Sequence, residues 1–587
     1  MSGSLTPDSS SPSPSPRTPP NLHQNTIDPN AKWLVQKFGG TSVGKFPVQI
    51  ASNIVPNYID QYKVAVVCSA RSGSTKALGT TNLLLRAAAE ALTRPPRNKP
   101  AGTPGFMSPV PKPFEYSASP PESRQSPSAG SPHPGFGSLT SISTSPNFID
   151  TVDLLRREHL SAASDAVKDP TILKELETEI ERDCEWLRGF LSAAQVIDEI
   201  SPRSKDSIVG LGEKLGCKIM TAALRDQGVD AEFVSLEDII LDDETEDGAS
   251  PGTLDQTFYD RLSVALGERI RQCAPRVPVV TGFFGQVPGS LLQQVGRGYT
   301  DLCSALLAVG LEADELQIWK EVDGIFTADP RKVPTARLIP IISPEEAAEL
   351  TYYGSEVVHP FTMEQVIRKK IPIRIKNVEN PEGGGTVIHP DSDIDAVDAL
   401  DISASLSGTR SLSVSSDDRP QRKLPTAVTI KEHIIILNVN SNRKSVSHGF
   451  LAGIFSTLDR FGVVVDLIST SEVHVSMAIE DGLARKILDR LVNDLKKSGT
   501  VSVHRDMAIL SLVGKQMRNM VGIAGRMFTT LAQGNVNIEM ISQGASEINI
   551  SCVIDARDAV KALNLIHQSC LQIKPEGARG RVGPWLF

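Results

Sequence analysis

The chain has 587 residues, with 60 Lys and Arg against 69 Asp and Glu, a net charge of −9 and a pI near 5.7. That length predicts roughly three or four domains with ample cores, and the acidic balance offers no basic footprint for nucleic acid. Seven scattered cysteines without a C-x-x-C pair argue for reduced thiols in a cytoplasmic protein, against a disulfide framework or zinc site, and no run of 18 apolar residues predicts a membrane span.

Residues 1–30 are Ser/Pro-rich and are expected to be disordered. Arg17 is their only Lys or Arg and no apolar h-region is present, which fits neither a secretory signal nor a transit peptide. The organising stretch follows at 32–45, KWLVQKFGGTSVGK. Residues 33–38 read as a short buried strand, closed by Gly39-Gly40 and then Thr41-Ser42. Paired glycines let a backbone come within hydrogen-bonding distance of a phosphate, and Lys37 adds a point charge beside them. A Gly-Gly after a strand is also an ordinary turn. The Walker A pattern fails because Phe46 stands where that motif needs Ser or Thr, and G-G-x-x-x-G is not the Rossmann fingerprint.

Residues 64–69 (VAVVCS) predict a buried parallel strand, and 80–92 a helix. Residues 95–148 are again Pro/Ser-rich and read as a surface insertion; with 1–30 they hold half of the 40 prolines. Asp169-Pro170 opens a helix with an N-cap and a proline at N1. A second helix is expected from about 207 to 226, then strands near 231–235 and 277–282, a helix from 300, and strands at 315–319 and 371–376. Strands alternating with helices imply an α/β domain with a largely parallel sheet covered on both faces.

Four further stretches in this region carry chemistry-bearing residues. SIVGLGE (207–213) sets Glu213 on a helix, where a charged Glu is ordinarily just solvated. GFFGQVPG (282–289) follows a strand, as a backbone approaching a ligand does, or as any loop does. GRGYTD (296–301) opens a helix whose N-terminus favours anions, and Arg297 offers a planar fork to a carboxylate. Asp301 can equally be a first-turn acid. KEVDGIFTADPR (320–331) leaves a strand into a turn-marked loop with an aromatic, Phe326, and a cation, Arg331.

Residues 391–425 are polar and read as a linker. Beyond them the chain repeats itself: 449–469 aligns without gaps to 522–542, with seven of 21 positions identical. Each copy reads as a βαββαβ unit, and two such small α+β modules are expected to pack as a pair.

Five motifs in order, KFGGTS, the SxxGxGE segment, GRGYTD, WKEVDGIFTADPR and VVHPFTMEQ, resemble the aspartate kinase family, especially its fungal form. The resemblance spans all but 1–30, the insertion and the linker. It implies an amino-acid-kinase three-layer α/β/α domain over 31–390 and two ACT domains, at 426–500 and 501–587; in that family one ACT module is assembled from discontinuous segments. The implied reaction moves the γ-phosphoryl group of ATP, with Mg²⁺, to the β-carboxylate of L-aspartate, giving 4-phospho-L-aspartate for threonine and methionine biosynthesis. The resemblance further implies feedback by an amino acid, threonine in fungal members, and a cytoplasmic homo-oligomer joined through the ACT domains.

Residue by residue, Lys37 resembles the lysine that stabilises the transferring phosphoryl group, with Gly39, Gly40, Thr41 and Ser42 along the phosphate path. Glu213 is similar to the acid that takes the substrate α-ammonium, and Arg297 to the arginine that takes the α-carboxylate. Thr300 and Asp301 close the same motif. Lys320, Glu321, Phe326, Asp329 and Arg331 fall in the nucleotide stretch. Ser447, Phe450, Asp466, Thr470 and Ser471 match the effector pocket. Tyr299 and Lys320 depart from the family pattern, which often has Gly and a small hydroxyl residue there. Alternatives are a glutamate, N-acetylglutamate or carbamate kinase of the same fold, or a non-catalytic amino-acid sensor. A chain fused to homoserine dehydrogenase would need a G-x-G-x-x-G strand–helix unit beyond the ACT pair.

Overall fold

The structure, a computed structural model, describes residues 23–73, 75–93, 147–240, 254–287, 289–354, 358–390, 424–441, 449–515, 517–544 and 548–572. The insertion lies outside them except for Asn147, whose side chain caps the helix Phe148–Ala166, and Phe148 itself. The linker lies outside them up to residue 423.

Eight strands form the first sheet: β1 Trp33–Phe38, β2 Lys63–Cys68, β3 Ala231–Val234, β4 Val277–Thr281, β5 Glu315–Lys320, β6 Ile341–Ile342, β7 Ile373–Asn377 and β8 Thr386–Ile388. Their order is β3-β4-β2-β1-β5-β7-β8-β6, parallel from β3 through β7, with β8 antiparallel to β7. The central strands are buried on both sides, as their near-continuous apolar runs require. Alternation along β1 sends Trp33 and Val35 to one core with helices Gln256–Arg271 and Tyr299–Leu311. Leu34 and Phe38 go to the other, with helices Thr80–Ala91, Phe148–Ala166, Pro170–Ile197 and Pro202–Asp226. This is the expected α/β/α sandwich. Because β1, β2, β4 and β5 run parallel, the segments leaving Phe38, Cys68, Thr281 and Lys320 emerge at one edge, where ligands of open α/β sheets are bound.

Two expectations need correction here. Residues 23–30 do not belong with a disordered leader. His23 bridges Val229 beside β3, and buried Asn25 exchanges hydrogen bonds of 2.9 and 3.0 Å with the Val64 backbone. The helix expected from 207 begins at Pro202, with Ser201 as its N-cap accepting from the Ser204 amide. Ser-Pro at cap and N1 is the stronger start signal.

The C-terminal part is one six-stranded antiparallel sheet: β9 Ala427–Ser441, β10 Leu467–Thr470, β11 His474–Glu480, β12 Gly499–Val513, β13 Met540–Ser542 and β14 Asn549–Asp555, in the order β10-β11-β9-β12-β14-β13. β9 and β12 each bend at a left-handed residue, His433 (φ 59°) and Asp506 (φ 57°). Beyond the bends each strand serves a different core. Ile435, Leu437 and Val439 pack with helices Phe450–Arg460 and Arg485–Leu495. Val428, Leu510 and Leu512 pack with helices Ile523–Gln533 and Ala559–Cys570. A cut between 500 and 501 therefore falls inside β12, and the second module borrows the strand that begins at Ala427. No described helix is long and apolar enough to cross a membrane.

Candidate active site

At the end of β1, Lys37 is 8% exposed and its Nζ lies 2.6 Å from Asp301 Oδ1, in the first turn of the helix Tyr299–Leu311. The two glycines beyond it answer different needs. A Cβ on Gly39 would stand 3.9 Å from Lys37 Nζ, in the space before the ammonium. A Cβ on Gly40 would overlap the Ala70 carbonyl oxygen at 2.4 Å, because the segment leaving β2 crosses there and Ser72 N–H donates to Gly40 O. The chain does not stay an open loop: Gly40–Lys45 is helical, with half-buried Thr41 in its first turn. Ser42 is fully buried and donates to Glu321 Oε1 at 2.7 Å, so its hydroxyl braces the segment after β5 and does not face the cleft.

Glu213 is fully buried in the helix Pro202–Asp226. The glycines before it are packing residues. A Cβ on Gly210 would strike the Phe283 ring at 2.5 Å, and one on Gly212 the Thr80 methyl at 2.9 Å. The Thr300 hydroxyl donates to Glu213 Oε1, while Oε2 makes no well-formed hydrogen bond among the described residues. Burial pushes the Glu213 pKa up to about 7, offset in part by the Thr300 hydroxyl and by donors of the Phe283 segment and Tyr299. Tyr299 lies buried beside it, and burial followed by the Glu213 charge holds its phenol well above the usual range. A carboxylate so placed calls for a cation.

The segment after β4 is seated from both sides. Gly282 has no room for a Cβ, which would meet Thr300 at 2.5 Å, and Gly285 has φ 97°. Asp206, absent from any sequence motif, accepts from Ser290 Oγ at 2.9 Å and from the Leu291 amide at 2.7 Å. It fixes the short helix Leu291–Gln294 that leads into the turn Gly296–Gly298. Arg297 is the middle residue of that turn, two positions before Tyr299. The structure thus brings Lys37, Gly39, Gly40, Glu213, Thr300 and Asp301 to one edge, with the Arg297 backbone beside them.

The nucleotide stretch is placed less compactly. Lys320 ends β5 and Glu321 takes the Ser42 hydroxyl. Phe326 is half-buried and bridged to Leu338 through its backbone. Asp329 accepts from Arg331 at 3.0 and 3.1 Å on a loop whose Arg331 side chain is 88% exposed. In the C-terminal sheet, Ser447 lies outside the described residues. Phe450 is buried at the start of its helix, and Thr470 and Ser471 are exposed at the end of β10. Asp466 Oδ1 meets Lys431 Nζ at 2.7 Å, a partner the sequence did not suggest, while its Oδ2 is buried and unpartnered among the described residues.

Residues 32–377 match the amino acid kinase family, and residues 510–570 match an ACT domain. The chain is 49% identical to an aspartokinase of Schizosaccharomyces pombe over 576 residues, covering 95% of this chain and 98% of that one. It is 46% identical to an aspartokinase of Saccharomyces cerevisiae over 552 residues, covering 92% and 93%. The solved Escherichia coli aspartokinase III in complex with aspartate and ADP shares the fold, with a TM-score of 0.62 at 24% identity over 92% of this chain and 99% of that one. Such identity over nearly the whole length sets aside the other kinases of the fold and a sensor without catalysis. The chain belongs to the amino acid kinase family and, within it, to the fungal aspartokinases, phosphotransferases that act on the carboxyl group of aspartate.

Proposed function

We propose that the edge built on Lys37 and Glu213 transfers the γ-phosphoryl group of ATP to the β-carboxylate of L-aspartate, yielding 4-phospho-L-aspartate and ADP. The observation that carries this is the pairing of two complementary features on one edge. One is an ammonium held beside Gly39; the other is a buried carboxylate oxygen, Glu213 Oε2, that makes no well-formed hydrogen bond among the described residues.

The β-carboxylate is already ionised at neutral pH, so one of its oxygens attacks the γ-phosphorus without a general base. The bond to the β–γ bridging oxygen breaks, and ADP takes the electron pair. What remains for the protein is placement and charge. Lys37 stabilises the charge on the transferring group, and Asp301 holds Lys37 in place. Gly39 and Gly40, with Thr41, let the phosphates approach. Glu213, oriented by Thr300, takes the α-ammonium, and Arg297 the α-carboxylate. Lys320, Glu321, Phe326, Asp329 and Arg331 belong to the nucleotide segment. The open cradle before Lys37 and the adjoining Asp301 carboxylate fit a polyphosphate carrying Mg²⁺, which supplies further charge neutralisation on the phosphate oxygens.

We place the reaction at the first step of threonine and methionine synthesis, in the cytoplasm, where its seven buried free cysteines stay reduced. The ACT pair is proposed to bind threonine and to join copies of the chain. A coupled ADP-release assay with aspartate, glutamate and N-acetylglutamate, repeated with threonine, lysine and methionine, tests both levels. Turnover of glutamate in preference to aspartate would overturn the substrate assignment.

A further inference from the structure

The loop that carries Asp329 and Arg331 has two sides, and only one belongs to the catalytic domain. On that side Glu321 takes the Ser42 hydroxyl, and the Ile325 amide donates to Thr386 Oγ1 of β8 at 2.8 Å. On the other side the loop is embedded in the second regulatory module. Ala328 and Val333 are buried in its core, among Leu563, Ile566 and Cys570 of the helix Ala559–Cys570. The Val428 amide of β9 donates to Thr327 O at 2.9 Å, and Asn564 Nδ2 to Lys332 O at 3.1 Å. Lys332 also pairs with Glu432 at 2.9 Å.

At the centre of this junction is His567, fully buried on the same helix. Its Nε2 lies 2.9 Å from Thr327 Oγ1 and its Nδ1 3.4 Å from Thr335 Oγ1, so one ring spans both ends of the loop. Thr327 Oγ1 already accepts from the Arg337 amide at 2.9 Å. Its single hydroxyl hydrogen is thus free to go to Nε2, which leaves Nδ1–H to donate to Thr335. A buried imidazole can simply be a satisfied core residue. This one closes the base of a loop whose tip bears the Asp329–Arg331 pair.

We propose that His567 is a positioning residue for nucleotide binding. By fixing Thr327 against Thr335 it sets where Asp329 and Arg331 stand, and so makes ATP affinity depend on the seat of the second regulatory module. The inference rests on the assignment of residues 320–331 to the nucleotide.

The test uses the full chain and steady-state kinetics with each substrate varied, beside thermal melting. His567→Leu keeps bulk and removes both hydrogen bonds of the ring, and Thr327→Val removes the central bond from the loop side together with the acceptor of the Arg337 amide. Each is expected to raise KM for ATP about fivefold, with KM for aspartate and kcat nearly unchanged. The double variant is expected to fall short of the product of the two single effects, because the Thr327–His567 bond is lost in both. His567→Gln, which can still reach Thr327, is expected to recover most of the loss. Arg331→Ala separates the two levels. If it leaves KM for ATP unchanged, the nucleotide assignment of the loop falls. If it raises that KM while Thr327→Val and His567→Leu lower only the melting temperature, His567 is structural and the proposal is overturned.

Discussion

The Lys37 ammonium and the Asp301 carboxylate stand 2.6 Å apart, joining the end of the central strand to the first turn of a helix from a distant part of the chain. A lysine has four side-chain torsions, and the pair removes much of that freedom before any substrate arrives. The charge is thereby held beside Gly39, where an added Cβ would stand 3.9 Å from Lys37 Nζ.

Lys37→Ala should therefore lower kcat by roughly 10²–10³, the usual loss when one preorganised contact to developing charge is removed. Its melting temperature should stay close to wild type, because the lysine tip is not part of either apolar core. Asp301→Asn should cost less, since the ammonium remains and only its restraint is weakened. Steady-state rates on purified variants decide this, and a wild-type kcat in Lys37→Ala removes the lysine from the chemistry.

Glu213 links function to stability with a definite sign. Its folded pKa is raised from 4.5 to about 7, chiefly by burial. Between those two values the folded state holds a proton that the unfolded state has released, so stability falls as pH rises from about 4.5 to about 7 and stays reduced above. Glu213→Gln removes that penalty. The variant should melt above wild type at pH 8, with the gap closing towards pH 5, yet lose aspartate affinity because an amide cannot balance an α-ammonium. For wild type, kcat/KM for aspartate should fall below about pH 7 as Glu213 takes its proton. A Gln variant that melts lower than wild type at pH 8 would contradict the assigned cost.

Much of the fold was legible because its signals are local. Apolar runs such as VAVVC gave β2, and Asp169-Pro170 marked a helix start that the structure keeps. What stayed hidden depends on distant partners. Nothing near Ser42 reveals that its hydroxyl turns towards Glu321, and nothing near Asp206 reveals the turn it holds at Ser290. The glycines of SIVGLGE stand out as a motif, but their reason is the Phe283 ring and the Thr80 methyl, which only the packed helix brings near. The family resemblance implied a module of discontinuous segments, but where β9 and β12 divide was not legible, since the bends at His433 and Asp506 carry no Gly or Pro to mark them.

Arg297 belongs to the turn directly ahead of the helix that bears Thr300 and Asp301. Arg297→Ala should raise KM for aspartate strongly, while KM for ATP stays near wild type, because a guanidinium fork matches the α-carboxylate and nothing on the nucleotide side replaces it. Arg297→Lys should recover only part of the loss. Substrate-by-substrate kinetics check this, and a rise confined to the KM for ATP would put the arginine on the phosphates.

Feedback control should turn on the pair formed by Asp466 and Lys431. Asp466 Oδ1 is held by Lys431 at 2.7 Å, and Lys431 Nζ also lies 3.5 Å from Glu480. Lys431 follows Ile430, which packs in the second regulatory core, whereas Asp466 leads into β10 of the first module. The ion pair thus ties one module to the other, and the second carboxylate oxygen of Asp466 is buried without a partner. An effector α-ammonium placed there would compete with Lys431 for the Asp466 carboxylate, and inhibition would further require unequal affinity for two states, since tight binding alone shifts nothing. Asp466→Ala should abolish threonine inhibition while leaving uninhibited kcat nearly intact. Lys431→Met should act in the opposite direction, lowering the threonine concentration for half-inhibition about fivefold, the scale of one partly buried ion pair. Inhibition curves at equal enzyme concentration test both. Unchanged inhibition in Asp466→Ala moves the effector elsewhere, and weaker inhibition in Lys431→Met makes the lysine a ligand and not a competitor.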